Sequence, residues 1–265
     1  MDIFDAIILG FVQGLTEFLP VSSSGHLSLT QSILNVRCDT VFFSLSVHLG
    51  TLVAVCAVFY KDIVALFKKP YKNLLLLLVA TIPAGAVGVL FESTLSEFFS
   101  STTILIYTFL ATAILLFIAQ NVKSKKSIST IGYPSALLMG IGQAFAILPG
   151  LSRSGTTIAV GLLCKKRRDE VAKFSFLMSI PIILGGVLLK SIHLGVSISQ
   201  GVPLSALGID ILPTIIASIV AGLSGYLSIK WMLRLINKAK FTSFSVYLVI
   251  LSLVVFVNSY VVPMW

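Results

Sequence analysis

Gln13-Gly14-Leu15-Thr16-Glu17-Phe18-Leu19-Pro20-Val21-Ser22-Ser23-Ser24-Gly25-His26 interrupts an apolar run over residues 3–34. A second run, 133–163, is interrupted by Pro149-Gly150-Leu151-Ser152-Arg153-Ser154-Gly155-Thr156-Thr157. How these two breaks are read decides the fold. A membrane crossing takes roughly 20 mostly apolar residues. Six other stretches supply one each, at about 41–60, 73–91, 102–120, 171–189, 208–229 and 243–262. The chain as a whole, 265 residues, is 57% hydrophobic and 11% charged. That mix, with a mean hydropathy of +1.03, excludes a soluble globular domain.

The net charge of +9 raises the question of nucleic acid, and the placement of the charges answers it. Lys61, Lys68, Lys69 and Lys72 follow the first span; Lys123, Lys125 and Lys126 follow the third. Lys165, Lys166, Arg167, Arg168 and Lys173 lie at the start of the fourth; Lys230, Arg234, Lys238 and Lys240 follow the fifth. The alternate connections hold only Arg37 and Lys190, beside Asp39, Glu92, Glu97 and Asp210. The charge therefore encodes topology, with the basic clusters in the cytoplasm, and no nucleic-acid partner is expected. Arg153 alone stands apart from this pattern. Asp2 and Asp5 occupy the place of a basic leader, so the first segment is expected to be retained rather than cleaved. Cys38, Cys56 and Cys164 are scattered, odd in number and without metal-ligand spacing, and read as apolar filler.

With basic loops inside, the region before the first span enters and leaves the membrane from the outer face, as a re-entrant hairpin. Three spans later, 133–163 lies between cytoplasmic clusters and must dip in from the opposite side. Gly10, Gln13, Leu19-Pro20 and Ser22-Ser23-Ser24-Gly25 are echoed by Gly140, Gln143, Leu148-Pro149 and Ser152-Arg153-Ser154-Gly155. The expected fold is all-α and integral to the membrane. It has six transmembrane helices plus two opposed re-entrant helix hairpins in an inverted-topology repeat. One membrane domain covers 1–265, with repeat 1 about 1–121, repeat 2 about 133–265 and both short termini on the outer face. Broken helices at depth are tolerated where protein or a wet cavity covers them. Pro20 and Pro149 are expected to stop the first half-helices, Gly25 and Gly155 to permit tight backbone in the second, and nearby hydroxyls to cap the new N-termini. Both N-termini would then attract one anion.

Gln13 and Glu17 are four apart and share a helix face. An ionisable Glu17 inside hydrocarbon needs a partner or a purpose; one reading is simple neutralisation by Arg153. Ser22, Ser23 and His26 form either a capping cluster or a catalytic one. In the second case Ser23 or a water attacks phosphorus while His26 moves the proton. Arg153 offers a planar fork that matches two phosphate oxygens, and Ser152, Ser154 and Thr157 would add hydroxyl donors to an anion cradle. His48, in the first span, and Gln143, mirroring Gln13, are weaker candidates for the same cavity. Trp231 and Trp265 read as interface anchors.

Both breaks closely resemble the signatures of the bacterial undecaprenyl-diphosphatase family, the membrane type named for bacitracin resistance. Those signatures are a Glu before Pro20-Val21-Ser22-Ser23-x-Gly25-His26, and then Pro149-Gly150-x-Ser152-Arg153-Ser154-x-x-Thr157. The resemblance covers nearly the whole chain. It implies a phosphatase that turns undecaprenyl diphosphate into undecaprenyl phosphate, recycling the carrier lipid of cell-wall synthesis in the bacterial inner membrane. Glu17, Ser23, His26 and Arg153 would be the central set, and the implied cofactor is a divalent cation, Mg²⁺ or Ca²⁺. Many members carry a second Glu where this chain has Gln13, so Glu17 would hold the metal with help from water and the substrate's own phosphates. The implied partners are a polyprenyl diphosphate and membrane lipids. The alternative is a secondary transporter or lipid-phosphate flippase on the same inverted-repeat site. Gly185, Gly186, Ala221, Gly222 and Gly225 suit close helix packing within one chain or across a homodimer.

Overall fold

The computed structural model describes residues 1–36, 41–91, 98, 103–122, 130–200, 210–236 and 240–261, apart from the side chains of 41, 193, 194, 197 and 198. Cys38, Trp265, Arg37, Lys123, Lys125, Lys126, Lys238, Asp39, Glu92 and Glu97 lie outside these. Among the described residues the chain is all helical: α1 Ile3–Phe18, α2 Ser23–Ile33, α3 Val41–Val58, α4 Tyr60–Leu66, α5 Lys72–Leu90, α6 Ile104–Gln120, α7 Tyr133–Phe145, α8 Arg153–Leu163, α9 Arg168–Ser199, α10 Ile211–Leu235 and α11 Phe241–Tyr260. Helices α5, α10, α11 and the Arg168–Ile192 part of α9 are long and apolar enough to cross a bilayer. A fifth crossing results if α3 and α4, bent by 80° at Phe59, count as one. Helix α6 is apolar but only 17 residues long. The outward-facing side chains are apolar, among them Val53, Ile82, Leu223 and Leu227. Lipid covers such a surface without cost, whereas water would not.

Several expected boundaries differ, among them the end of the fifth span, which lies at Leu235 rather than about 229. The first span turns at Phe59 into a separate short helix, α4, which the apolar pattern does not mark. The fourth, expected over 171–189, runs from Arg168 to Ser199. Nothing between Ser191 and Ser199 stops a helix: the next proline is Pro203, and the single Gly195 costs about 1 kcal/mol.

The two interrupted regions form helix–break–helix pairs. Asp2 caps α1 in a reciprocal box with Asp5. Leu19 then turns extended, φ −78° and ψ 150°, as the residue before a proline prefers. At 16 and 11 residues, α1 and α2 measure about 24 and 16 Å, so neither spans alone. Helix α7 does not run up to Pro149 as expected. It ends at Phe145, and Ile147 and Leu148 continue as tight turns on Ala144 and Phe145, because three-residue bonding lets the chain leave the helix before the proline.

Small residues set the packing. A side chain on Gly10 would strike Ala217 of α10, and one on Gly140 would strike Ala80 of α5. Helix α1 thus lies on α10 and α7 on α5, each through a backbone-to-backbone approach open only to glycine. Gly50 meets Ser218 in the same way, and Gly222 and Gly225 face Gly50 and Phe18. Those two and Ala221 pack within the chain, while Gly185 has open space before it. Hydroxyls tie the helices across: Ser228 Oγ to Leu15 O at 2.7 Å, Ser218 Oγ to Ser46 O at 2.6 Å and Ser252 Oγ to Ile106 O at 2.8 Å.

Candidate active site

Each break ends in a serine-capped helix. Ser22 and Ser152 are the N-caps of α2 and α8, accepting from the N–H groups of Gly25 and Gly155 at 3.4 and 3.0 Å. Ser23 and Arg153, the first residues of the two helices, therefore hold equivalent places. Ser22 adopts φ 71°, an uncommon region for a residue with a side chain, and it follows the Pro20 turn immediately. Gly150, at φ +83°, lies so close to Thr108 that a side chain would not fit.

The breaks interlock. Ser154 Oγ donates to Leu19 O at 2.7 Å, and the Gly150 N–H donates to Ser24 Oγ at 3.3 Å. Arg153 Nη2 meets Glu17 Oε1 at 2.5 Å, while Ser23 Oγ at 2.6 Å and Gln13 Nε2 at 3.0 Å donate to Glu17 Oε2. Arg153 Nη1 also reaches Ser175 O at 3.5 Å. Phe18 and Phe176, edge to face at 5.7 Å, pack behind the pair. Taking both charges from water is costly, and it is offset by this close pairing and the hydrogen bonds around it.

A cavity of about 250 Å³ opens on these groups, lined by Glu17, Ser22, Ser23, Ser24, His48, Gln143 and Arg153, with Ser44 and Lys190 also on its wall. Of the residues singled out from sequence, Gln13 and Ser152 are buried behind the wall. Ser154 is turned onto Leu19 O, and Thr157 donates to Arg153 O at 2.8 Å and lies 2.7 Å from Ser175 Oγ. In this state the hydroxyls of Ser152, Ser154 and Thr157 brace the loop rather than point into the cavity. His26 is also turned aside. Its Nδ1 lies 2.7 Å from Ser22 O and its Nε2 2.6 Å from Tyr247 Oη, with the two rings stacked. Glu17, not His26, is the group that accepts from Ser23 Oγ. Tyr247, Ser175, Ser44 and Lys190 escape the motif reading; only Lys190 leaves a trace there, as a basic residue in the otherwise acidic set of connections.

Among the described residues no three of His, Cys, Asp or Glu gather as a metal cage. The donor set that does exist is one carboxylate, Glu17; the Gln13 NH₂ donates to it at 3.0 Å, while the Gln13 amide oxygen is buried and has no partner. Hard oxygens in small number suit Mg²⁺ or Ca²⁺ bound mainly through substrate and water.

The family model described as bacitracin resistance protein BacA matches residues 6–254. The chain is 42% identical over 259 residues to a protein of Carboxydothermus hydrogenoformans, covering 97% of each. It is 39% identical over 261 residues to one of Halothermothrix orenii, covering 97% of this chain and 98% of the relative. It is likewise 39% identical over 282 residues to one of Methanobrevibacter smithii, covering 98% of each. All three relatives are named undecaprenyl-diphosphatase.

Proposed function

The chain belongs to the bacitracin resistance protein BacA family, and from that membership we propose that it is an undecaprenyl-diphosphate phosphatase. It hydrolyses the phosphoric anhydride of the carrier lipid to undecaprenyl phosphate and phosphate. The observation that carries the reading is the Arg153–Glu17–Ser23 chain of contacts at a cavity wall. It joins an anion clamp, a base and a nucleophile from opposite halves of the sequence. The carrier alternative is not favoured, since the relatives are named for hydrolysis and transport alone has no use for a serine held against a carboxylate.

The terminal phosphate enters between the tips and takes the Arg153 fork in place of Glu17. The released carboxylate accepts the Ser23 proton as Oγ attacks phosphorus and hands it to the bridging oxygen as that P–O bond breaks and lipid phosphate leaves. Water then displaces Ser23 from phosphorus. Ser152, Ser154 and Thr157 keep the Arg153 loop in shape for this exchange, and His26, fixed on Tyr247, anchors α2. A Mg²⁺ or Ca²⁺ ion held by Glu17 together with water and the substrate's own phosphates would supply charge neutralisation there.

The finer topology belongs to the same proposal. Six crossings and two opposed re-entrant pairs form one domain with repeats at about 1–121 and 133–265. The matched contacts Gly10–Ala217 and Gly140–Ala80, and the matched caps Ser22 and Ser152, support it. The protein would sit in the bacterial inner membrane with both termini outside, and Gly185 marks the face on which a second copy would pack. The test of function is phosphate release from a polyprenyl diphosphate by purified protein with Mg²⁺, with Ca²⁺ and with EDTA. Metal-dependent release is expected; lipid binding without release under every condition would hand the site to a carrier.

A further inference from the structure

Gln143 is 1% exposed and lines the cavity, yet neither its Nε2 nor its Oε1 has a hydrogen-bond partner. Leaving a buried amide so is unfavourable by about 1–3 kcal/mol, and native interiors seldom carry one without a reason. Every other polar side chain of the wall has at least one partner. Glu17 holds Arg153 and Ser23, Ser22 and Ser24 lie 3.3 Å apart, Lys190 Nζ donates to Ser44 Oγ at 3.3 Å and His48 Nδ1 lies 2.7 Å from Ser44 O. The Gln143 amide therefore calls for a partner that accepts from its NH₂ and donates to its carbonyl. An ionised phosphate only accepts and a cation only takes lone pairs, whereas water does both. Water is also the second reactant of a hydrolysis.

We propose that Gln143 is a positioning residue that holds the hydrolytic water, an inference that rests on the phosphatase reading and deepens it. Once the phosphoryl group is on Ser23 Oγ, the water oxygen bonds to phosphorus and the P–Oγ bond breaks. The proton lost by water passes through Glu17 to Ser23 Oγ, and inorganic phosphate departs. Gln143 forms no covalent bond and moves no proton; it fixes the line of attack, as a neutral amide does for the attacking water in GTPases.

The test is Gln143→Met, which keeps the shape and removes donor and acceptor together. No protein group loses a partner, so the melting temperature in detergent holds or rises. Steady-state kcat falls by roughly 10²-fold and KM falls with it, because kcat/KM reports only the steps up to formation of the phosphoserine. Rapid quenching shows a burst of lipid monophosphate, about one per enzyme, ahead of slow phosphate release. A raised KM with kcat kept would make Gln143 a substrate contact and overturn the inference. So would a lowered melting temperature with unchanged kinetics, or a first turnover slowed as much as the steady state. Wild-type protein assayed alongside separates the two claims: inactive wild type sinks the phosphatase reading, while active wild type with an indifferent Gln143→Met sinks only this one.

Discussion

Arg153 and Glu17 lie 136 residues apart in the chain and 2.5 Å apart in the structure, and the same carboxylate holds Ser23 on its other oxygen. A buried charge pair of this kind is weak evidence of stability, since apolar replacements often serve as well. In the proposed reaction its use is as an exchange: the anion that claims the guanidinium frees the base.

That exchange fixes what Arg153 must be. Arg153→Ala lowers kcat/KM by about 10²-fold or more, the loss of ~3 kcal/mol of transition-state stabilisation. Arg153→Lys restores little of it, because the ammonium lacks the planar fork. Steady-state phosphate release at several lipid concentrations measures both.

Glu17→Gln separates binding from chemistry. Without a carboxylate competing for Arg153, KM for the diphosphate stays level or falls. The kcat drops by about 10²-fold or more, because Ser23 has lost its base. An increase in KM with kcat preserved would instead make Glu17 a binding group.

The amide at position 13 offers a test of the metal. Gln13→Glu replaces the unpartnered Oε1 by a second carboxylate beside Glu17, so the Mg²⁺ concentration for half-maximal activity should fall, by roughly tenfold. Titrating the metal back after EDTA treatment, on both proteins, reads this directly.

Gly10 and Gly140 test the repeat. Each faces a backbone carbonyl, of Ala217 and of Ala80, so Gly10→Ala and Gly140→Ala should destabilise by similar amounts, about 1–3 kcal/mol. Gly185→Ala, with open space before it, should not. Thermal melting in detergent orders the three.

Much of this arrangement was legible in the chain. Membrane residence followed from the apolar stretches, and Pro20, with a polar run after it, marked the first break where the structure has it. Arg153 stood out because no topological rule accounted for it, and Glu17 because hydrocarbon penalises a carboxylate. The roles of individual hydroxyls were not legible. Spacing places Ser152, Ser154 and Thr157 beside Arg153, but whether a hydroxyl faces a cavity or a carbonyl depends on the neighbouring loop, and Leu19 O comes from the other half of the sequence. The orientation of His26 was not legible for the same reason. Its partner Tyr247 lies 221 residues away, one aromatic in an apolar span with nothing local to mark it. Helix α4 and the extension of α9 were missed because apolar content reports where lipid is met, not where the backbone turns.

The central claim is that the two breaks make one catalytic site, and a double-mutant cycle tests it most directly. Glu17→Gln, Arg153→Ala and the double variant, each checked for folding, are compared for phosphate release at saturating lipid diphosphate. The account predicts that the double variant is about as slow as the slower single one, because residues acting as a unit are lost together. Losses that multiply, near 10⁴-fold for two independent 10²-fold effects, would mean that Glu17 and Arg153 work apart, and would contradict it.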